Sequence, residues 1–148
     1  MTQWIVTCDA SKARVYSREL PSGALQRVLE IHNPKGRARA SELASDEPGR
    51  VVKNGNSLRG GISAADPRTD PHEVEVEHHA HHLAKILQGG LNQRKYNSLG
   101  LIAPPHLLGE LRNLLSAEIH KKLKFSVATD LADFTDRELS RRLIELHL

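Results

Sequence analysis

The chain has 148 residues, 39% of them hydrophobic, and a formal net charge of +3. This length suits one domain, residues 1–148, with a core of its own. The single cysteine excludes an internal disulfide, and the absence of an apolar run of about 18 residues excludes a transmembrane helix. The first residues, Met1 to Trp4, lack the basic and apolar regions of a secretory signal, so we expect a cytoplasmic protein with no membrane partner.

Three segments rich in β-forming residues open the chain, and the pattern predicts strands at 4–7, 13–17 and 25–32. The residues between them, Cys8-Asp9-Ala10-Ser11 and Pro21-Ser22-Gly23, are typical of turns. Short turns between successive strands predict an antiparallel meander.

Residues 33–69 contain five glycines, three prolines and few large apolar residues. A connection this long is usually functional or disordered, and we expect 49–66 to be poorly ordered. Its positive charge favours a polyanion such as RNA, although an ordinary solvated loop remains the alternative. The RNA-binding candidates in this segment are Arg37, Arg39, Arg50, Lys53, Arg59, Gly60, Gly61 and Arg68.

The second half of the chain alternates helices with strands. Asp70, Pro71 and Glu73 predict a helix start, and the Gly89-Gly90 pair predicts its end. A strand at 99–103, a helix at 106–121, a strand at 125–128 and a helix at 135–146 follow. The order β-β-β-α-β-α-β-α predicts an α/β fold with a mixed five-stranded sheet flanked by helices, in a ribonuclease-H-like topology.

The predicted helix after Asp70 is rich in histidine. Glu75, His78 and His82 share one helical face at a spacing that can bind zinc or a similar metal, while a solvated face is the favoured alternative. His79 lies at the edge of the buried side. We predict no metal and no cofactor.

Two further groups could carry chemistry. Asp9, Asp130 and Asp133 follow predicted strands and could bind metal as in a nuclease, but Asp is also common in turns. Cys8 could be a nucleophile with His106 or His32, but a lone cysteine in a strand is more often a core residue. We therefore expect a protein that is not an enzyme and has no catalytic residues.

Several segments resemble the bacterial host attachment protein family, and the resemblance covers almost the whole chain. The segments are Trp4-Ile5-Val6, Ala13-Arg14-Val15-Tyr16, Ala44-Ser45-Asp46-Glu47-Pro48-Gly49-Arg50, Pro67-Arg68-Thr69-Asp70-Pro71 and Leu101-Ile102-Ala103-Pro104-Pro105. The family's name implies a role in attachment to host cells, which would act through a protein partner.

The order of elements is also similar to the middle domain of archaeal and eukaryotic class I release factors. In those proteins a long basic loop bears Gly-Gly-Gln, and here Arg59-Gly60-Gly61-Ile62 stands at the corresponding place. Ile62 replaces the glutamine tied to peptidyl-tRNA hydrolysis, which argues against peptide release. This likeness implies a factor that binds the ribosome or structured RNA without catalysis, in translation rescue or ribosome dormancy. The attachment role is the alternative.

Overall fold

Three antiparallel strands open the chain in a computed structural model that describes residues 1–33 and 71–148. They are β1 (Thr2–Cys8), β2 (Lys12–Glu19) and β3 (Gln26–His32), which confirms the predicted meander. Asp9 shapes the first turn, since its carboxylate accepts hydrogen bonds from the backbone nitrogens of Ser11 at 2.8 Å and Lys12 at 2.9 Å. In the second turn, a Cβ on Gly23 would lie 2.5 Å from the Glu19 carbonyl oxygen, so only glycine fits there.

The rest of the described chain adds two parallel strands and four helices. The sheet order is β3-β2-β1-β4-β5, with β1, β4 and β5 parallel, so the sheet is mixed and five-stranded as predicted. The elements are α1 (Pro71–Asn92), β4 (Ser98–Ala103), α2 (Pro105–Leu114), α3 (Ala117–Lys122), β5 (Leu123–Ala128) and α4 (Asp136–Glu145).

Alternating residues of β1 face two separate cores, as the period of a strand requires. Trp4, Val6 and Cys8 pack on the face covered by α1, α2 and α3. Ile5 packs on the opposite face against Leu139 and Leu143 of α4. Helices therefore cover both faces of the sheet, and no described helix is long and apolar enough to cross a membrane.

Helix α1 does not end at Gly89-Gly90, and the predicted end was wrong. The helix continues to Asn92, and Arg94 then adopts a left-handed conformation with φ of 57°. The backbone nitrogen of Arg94 donates to the Leu91 carbonyl at 3.0 Å, and that of Lys95 donates to the Gly90 carbonyl at 2.8 Å. These two bonds form a Schellman motif in which an arginine takes the position that glycine usually occupies.

Glycine is required at position 90 because of side-chain packing, and not because the helix ends there. A Cβ at this position would lie 2.7 Å from two ring atoms of Trp4 and 3.2 Å from Tyr96 Cε1. The Trp4 ring is buried and cannot move aside without disturbing the core. The pattern indicated a helix end where the helix instead makes room for an aromatic ring.

The single helix predicted at 106–121 is two helices. Leu115 and Ser116 have extended backbones, with ψ of 141° and 163°, which interrupt the helical pattern. The Ser116 hydroxyl accepts a hydrogen bond from the Ile119 backbone nitrogen at 3.3 Å and so caps α3. Apolar residues keep a helical spacing across this break because both helices cover the same face of the sheet.

The capping box predicted before the last helix is confirmed. The Thr135 hydroxyl accepts from the Glu138 backbone nitrogen at 3.1 Å, and the Glu138 carboxylate accepts from the Thr135 nitrogen at 2.9 Å. The predicted cap at Asp70 and the expected disorder of 49–66 concern residues that lie outside those described.

The adjacent glycines of α1 form a matched pair for testing this packing. Replacing Gly90 with Ala should lower the free energy of unfolding by about 1–3 kcal/mol, because the new methyl group overlaps Trp4. Replacing Gly89, whose Cβ would meet nothing within 4 Å, should raise it by about 0.5–1 kcal/mol. Urea unfolding of both variants measures the difference, and equal effects would contradict the Trp4 contact.

Candidate functional site

The predicted RNA-binding residues all lie between residues 34 and 70, outside the residues that the structure describes. No contact among them is therefore part of the site described below. They are Arg37, Arg39, Arg50, Lys53, Arg59, Gly60, Gly61 and Arg68.

The metal candidates on α1 do not form a ligand set. The Glu75 carboxylate lies 3.7 Å from Nδ1 of the exposed His78. Among residues 1–33 and 71–148, no three His, Cys, Asp or Glu side chains are arranged to hold a metal ion, and His82 brings no third ligand to this pair. His78 and His82 are exposed, as expected for a solvated helix face.

His79 points the other way and is 3% exposed, which confirms its place on the buried side. Its Nε2 atom has no hydrogen-bond partner among the described residues. Burial lowers the pKa of His79, while the nearby backbone of Lys12 and the charge of Asp9 oppose this effect. The imidazole borders a small cavity of about 150 Å³ that His32, Asn33 and His82 also line.

The acidic nuclease candidates have structural roles. Asp9 shapes the turn between β1 and β2, and the Asp130 carboxylate accepts a hydrogen bond from the Ala132 backbone nitrogen at 3.1 Å. Asp133 pairs with Lys12 of β2 and helps to fasten the segment before α4 to the sheet. The carboxylates of Asp9 and Asp130 therefore stabilise turns, and that of Asp133 forms an ion pair.

Cys8 is a core residue. Its side chain is fully buried, and burial raises the pKa of the thiol above its ordinary value, with the charges of Asp9 and Asp130 adding to the effect. His32 and His106, the two candidate bases, are exposed. A buried thiol with a raised pKa is not an activated nucleophile.

A cavity of about 580 Å³ lies at the end of the sheet where β4 and β5 begin. Three cationic side chains border it: Arg94 after α1, and Lys121 and Lys122 at the end of α3. None of the three lies within 4.0 Å of a carboxylate in the described structure, although Glu118 shares the cavity. The remaining lining residues are Leu91, Asn92, Tyr96 and Asn97.

The two amide side chains of this cationic cavity are oriented by the protein. The Asn92 amide oxygen accepts from Gln88 Nε2 at 2.9 Å, and the Asn97 amide oxygen accepts from the Thr2 backbone nitrogen at 3.0 Å. Each amide oxygen already accepts one bond within the protein, so the NH₂ group of each side chain remains as a donor for a ligand. Together with the three cationic side chains, these groups make the lining rich in hydrogen-bond donors.

Tyr96 supplies an apolar surface and not a donor. Burial raises the pKa of Tyr96 to about 12, and its protonated hydroxyl donates to the Leu87 carbonyl at 2.7 Å. Its ring packs on Trp4, with ring centroids 4.8 Å apart, and is almost fully buried. The cationic cavity thus combines a charged rim with an apolar wall formed by Leu91, next to the buried Tyr96.

Sequence reasoning missed this cavity, although a signal was present. The basic doublets Arg94-Lys95 and Lys121-Lys122 each stand just before a predicted strand. The starts of neighbouring parallel strands meet at one end of a sheet, so β4 and β5 bring Arg94 of the first doublet to the same cavity as Lys121 and Lys122.

A family model described as "Protein required for attachment to host cells" matches residues 4–143. The chain belongs to this family. The match confirms the resemblance to host attachment proteins that the sequence motifs indicated. No curated protein sequence matches the chain.

Two solved structures are similar to this host attachment protein family member at low identity. A Ppx/GppA phosphatase from Aquifex aeolicus is 12% identical, with a TM-score of 0.42 over 86% of this chain and 35% of its own. An archaeal protein is 9% identical, with a TM-score of 0.45 over 99% of this chain and 38% of its own. The chain spans little more than a third of each protein, and at TM-scores this low the likeness carries no argument about activity.

The predicted ribosome-binding function was wrong. The matched family is described by attachment to host cells, and the comparisons give no support to ribosome binding, RNA binding or a role in dormancy. The error arose because clustered Lys and Arg in residues 33–69 indicate a polyanion without indicating which one.

The buried His79 predicts that acid destabilises the fold. Its pKa is lowered in the folded state, so the unfolded chain takes up more protons as pH falls through the ordinary histidine value of about 6.5. This contribution to stability is complete above that value and is lost below it. Urea unfolding should show a larger loss between about pH 7.5 and pH 5.5 for the wild type than for His79→Gln. An identical loss in both proteins would contradict the buried, neutral imidazole.

Proposed function

We propose that this protein supports attachment to host cells by binding a protein partner without catalysing a reaction. The observation that carries the proposal is the cationic cavity, whose Arg94, Lys121 and Lys122 have no acidic partner among the described residues. Membership of the attachment family supplies the biological setting.

Charge complementarity indicates which part of a partner would bind. Unpaired cations around a concave site attract an acidic segment, increase the rate of encounter and suppress binding of basic partners. The NH₂ groups of Asn92 and Asn97 add hydrogen-bond donors for the same oxygen-rich groups. The proposed partner therefore presents a negatively charged segment that enters the cationic cavity.

We also propose that the protein works in the cytoplasm, so that its effect on attachment is indirect. The free thiol of Cys8, held in the core, suits a reducing compartment. The finer likeness to a release-factor middle domain stays a proposal about the fold's origin. The order of the described elements, with three strands before the first crossover helix, supports it.

An attachment assay with matched variants tests the proposed function. In a strain lacking the protein, the variant Lys121→Gln/Lys122→Gln should restore attachment poorly, because two charge-assisted contacts are lost and affinity falls by about tenfold or more. Lys121→Arg/Lys122→Arg retains the charge and should restore attachment. The control Arg137→Gln/Arg141→Gln removes the same charge from α4, which covers the opposite face of the sheet.

Circular dichroism should show the same secondary structure in all three variants. Full attachment with Lys121→Gln/Lys122→Gln, or an equal loss with the α4 control, would contradict a role for the cationic cavity.

A further inference from the structure

The cationic cavity carries more charge than a single carboxylate group can neutralise. Arg94, Lys121 and Lys122 contribute three positive charges and Glu118 contributes one negative charge, which leaves a net charge of +2 on the lining. We infer that the cavity binds a phosphate monoester carried on an organic group. The inference rests on the proposed function for its biological use, and it names the chemistry of the group that is recognised.

The charge of a phosphate monoester matches this lining. Such a group carries about −1.5 to −2 at pH 7 and offers three acceptor oxygens. A carboxylate carries one negative charge and two oxygens, so it leaves at least one cation of the rim without a partner. The dianion therefore neutralises the cavity and the carboxylate does not.

The hydrogen-bonding groups of the cavity suit the same ligand. Arginine offers up to five N–H donors and each lysine offers three. The NH₂ groups of Asn92 and Asn97 add donors whose orientation is set by bonds to Gln88 and Thr2. A site rich in donors favours a ligand rich in acceptors, and phosphate oxygens meet this preference without introducing donors that would lack partners.

The size and the apolar wall indicate an organic group beyond the phosphate. The volume of about 580 Å³ lies within the usual range of about 300–1,000 Å³ for sites that hold small organic ligands. Leu91 lines the cavity next to Tyr96, which is almost fully buried and has its hydroxyl bound to the Leu87 carbonyl. The phosphate would meet the cationic rim while the group that carries it packs on this wall.

The phosphate monoester could come from two sources. The monoester could be a phosphorylated side chain in the acidic segment of the partner, or a free phosphorylated small molecule that occupies the same site. Both would place a dianion on Arg94, Lys121 and Lys122 with a carbon skeleton against Leu91. Separate probes distinguish them.

Trp4 gives a direct way to observe binding. It is the only tryptophan of the chain, and its ring packs on Tyr96, which lines the cavity. Phenyl phosphate should change the fluorescence of Trp4 saturably and should bind at least about tenfold more tightly than benzoate, which has the same ring but one negative charge. Affinity for phenyl phosphate should fall below about pH 6, where the phosphate dianion takes up a proton and becomes a monoanion.

Two variants test the assignment of residues. Arg94→Asn removes the guanidinium, and asparagine tolerates the left-handed backbone that ends α1. Lys121→Gln removes a second charge. Each should weaken phenyl phosphate binding by about tenfold, whereas Arg137→Gln on α4 should not change it.

The two sources are compared in the same assay. A phosphotyrosine peptide that binds more tightly than adenosine monophosphate indicates a side chain of the partner, and the reverse order indicates a free small molecule. Equal affinity for phenyl phosphate and benzoate, or binding that survives both cavity variants, would overturn the inference.

The outcomes also separate this inference from the proposed function. If Lys121→Gln/Lys122→Gln loses attachment but the wild-type protein binds no phosphate, binding of a phosphate monoester is contradicted and the proposed site for a protein partner is still supported. Phosphate binding that depends on these residues, together with full attachment, would support the monoester and contradict the attachment role.

Discussion

The packing of Trp4 between helix α1 and Tyr96 holds the described structure together at the cationic edge of the sheet. The Trp4 ring occupies the space that any side chain at Gly90 would need, 2.7 Å from where its Cβ would lie. Its centroid lies 4.8 Å from that of Tyr96, whose hydroxyl in turn bonds to the Leu87 carbonyl of α1. One aromatic pair therefore joins β1, α1 and the segment that enters β4.

The cationic cavity depends on this arrangement. Because α1 runs past Gly90 and ends in a left-handed Arg94, the chain turns back toward β4 and carries Asn97 to the backbone of Thr2. Parallel pairing of β4 with β5 then places α3 beside this turn, so that Lys121 reaches the same cavity as Arg94. Charged groups far apart in the chain meet because the aromatic core fixes the turn between α1 and β4.

The parts of the fold that could be predicted rest on local chemistry. The continuous burial of β1, which begins with an apolar run, and the buried positions Val76, Ala80, Leu83 and Leu87 of α1 follow from the sequence pattern alone. The predicted helix boundaries were wrong where local sequence gave the wrong signal. Gly90 is typical of a helix end, but here it leaves space for the Trp4 ring within the helix. Ser116 caps a new helix in the middle of a continuous apolar pattern.

The candidate site could not be predicted for a related reason. Basic doublets near 94 and 121 are ordinary in sequence, and only strand pairing brings them to one cavity. Function proved harder still, since positive charge in residues 33–69 indicated RNA while the family match indicates attachment to host cells. Charge identifies the sign of a partner and not its class.

The proposed role of the cationic cavity as the binding site of the protein is tested most directly by mapping a bound ligand by NMR. Phenyl phosphate added to ¹⁵N-labelled protein should shift the amide signals of Asn92, Arg94, Asn97, Lys121 and Lys122 together with the indole signal of Trp4. Signals from α4, on the other face of the sheet, should stay unchanged. Shifts confined to the basic residues between 34 and 70, with none around the cavity, would contradict the account.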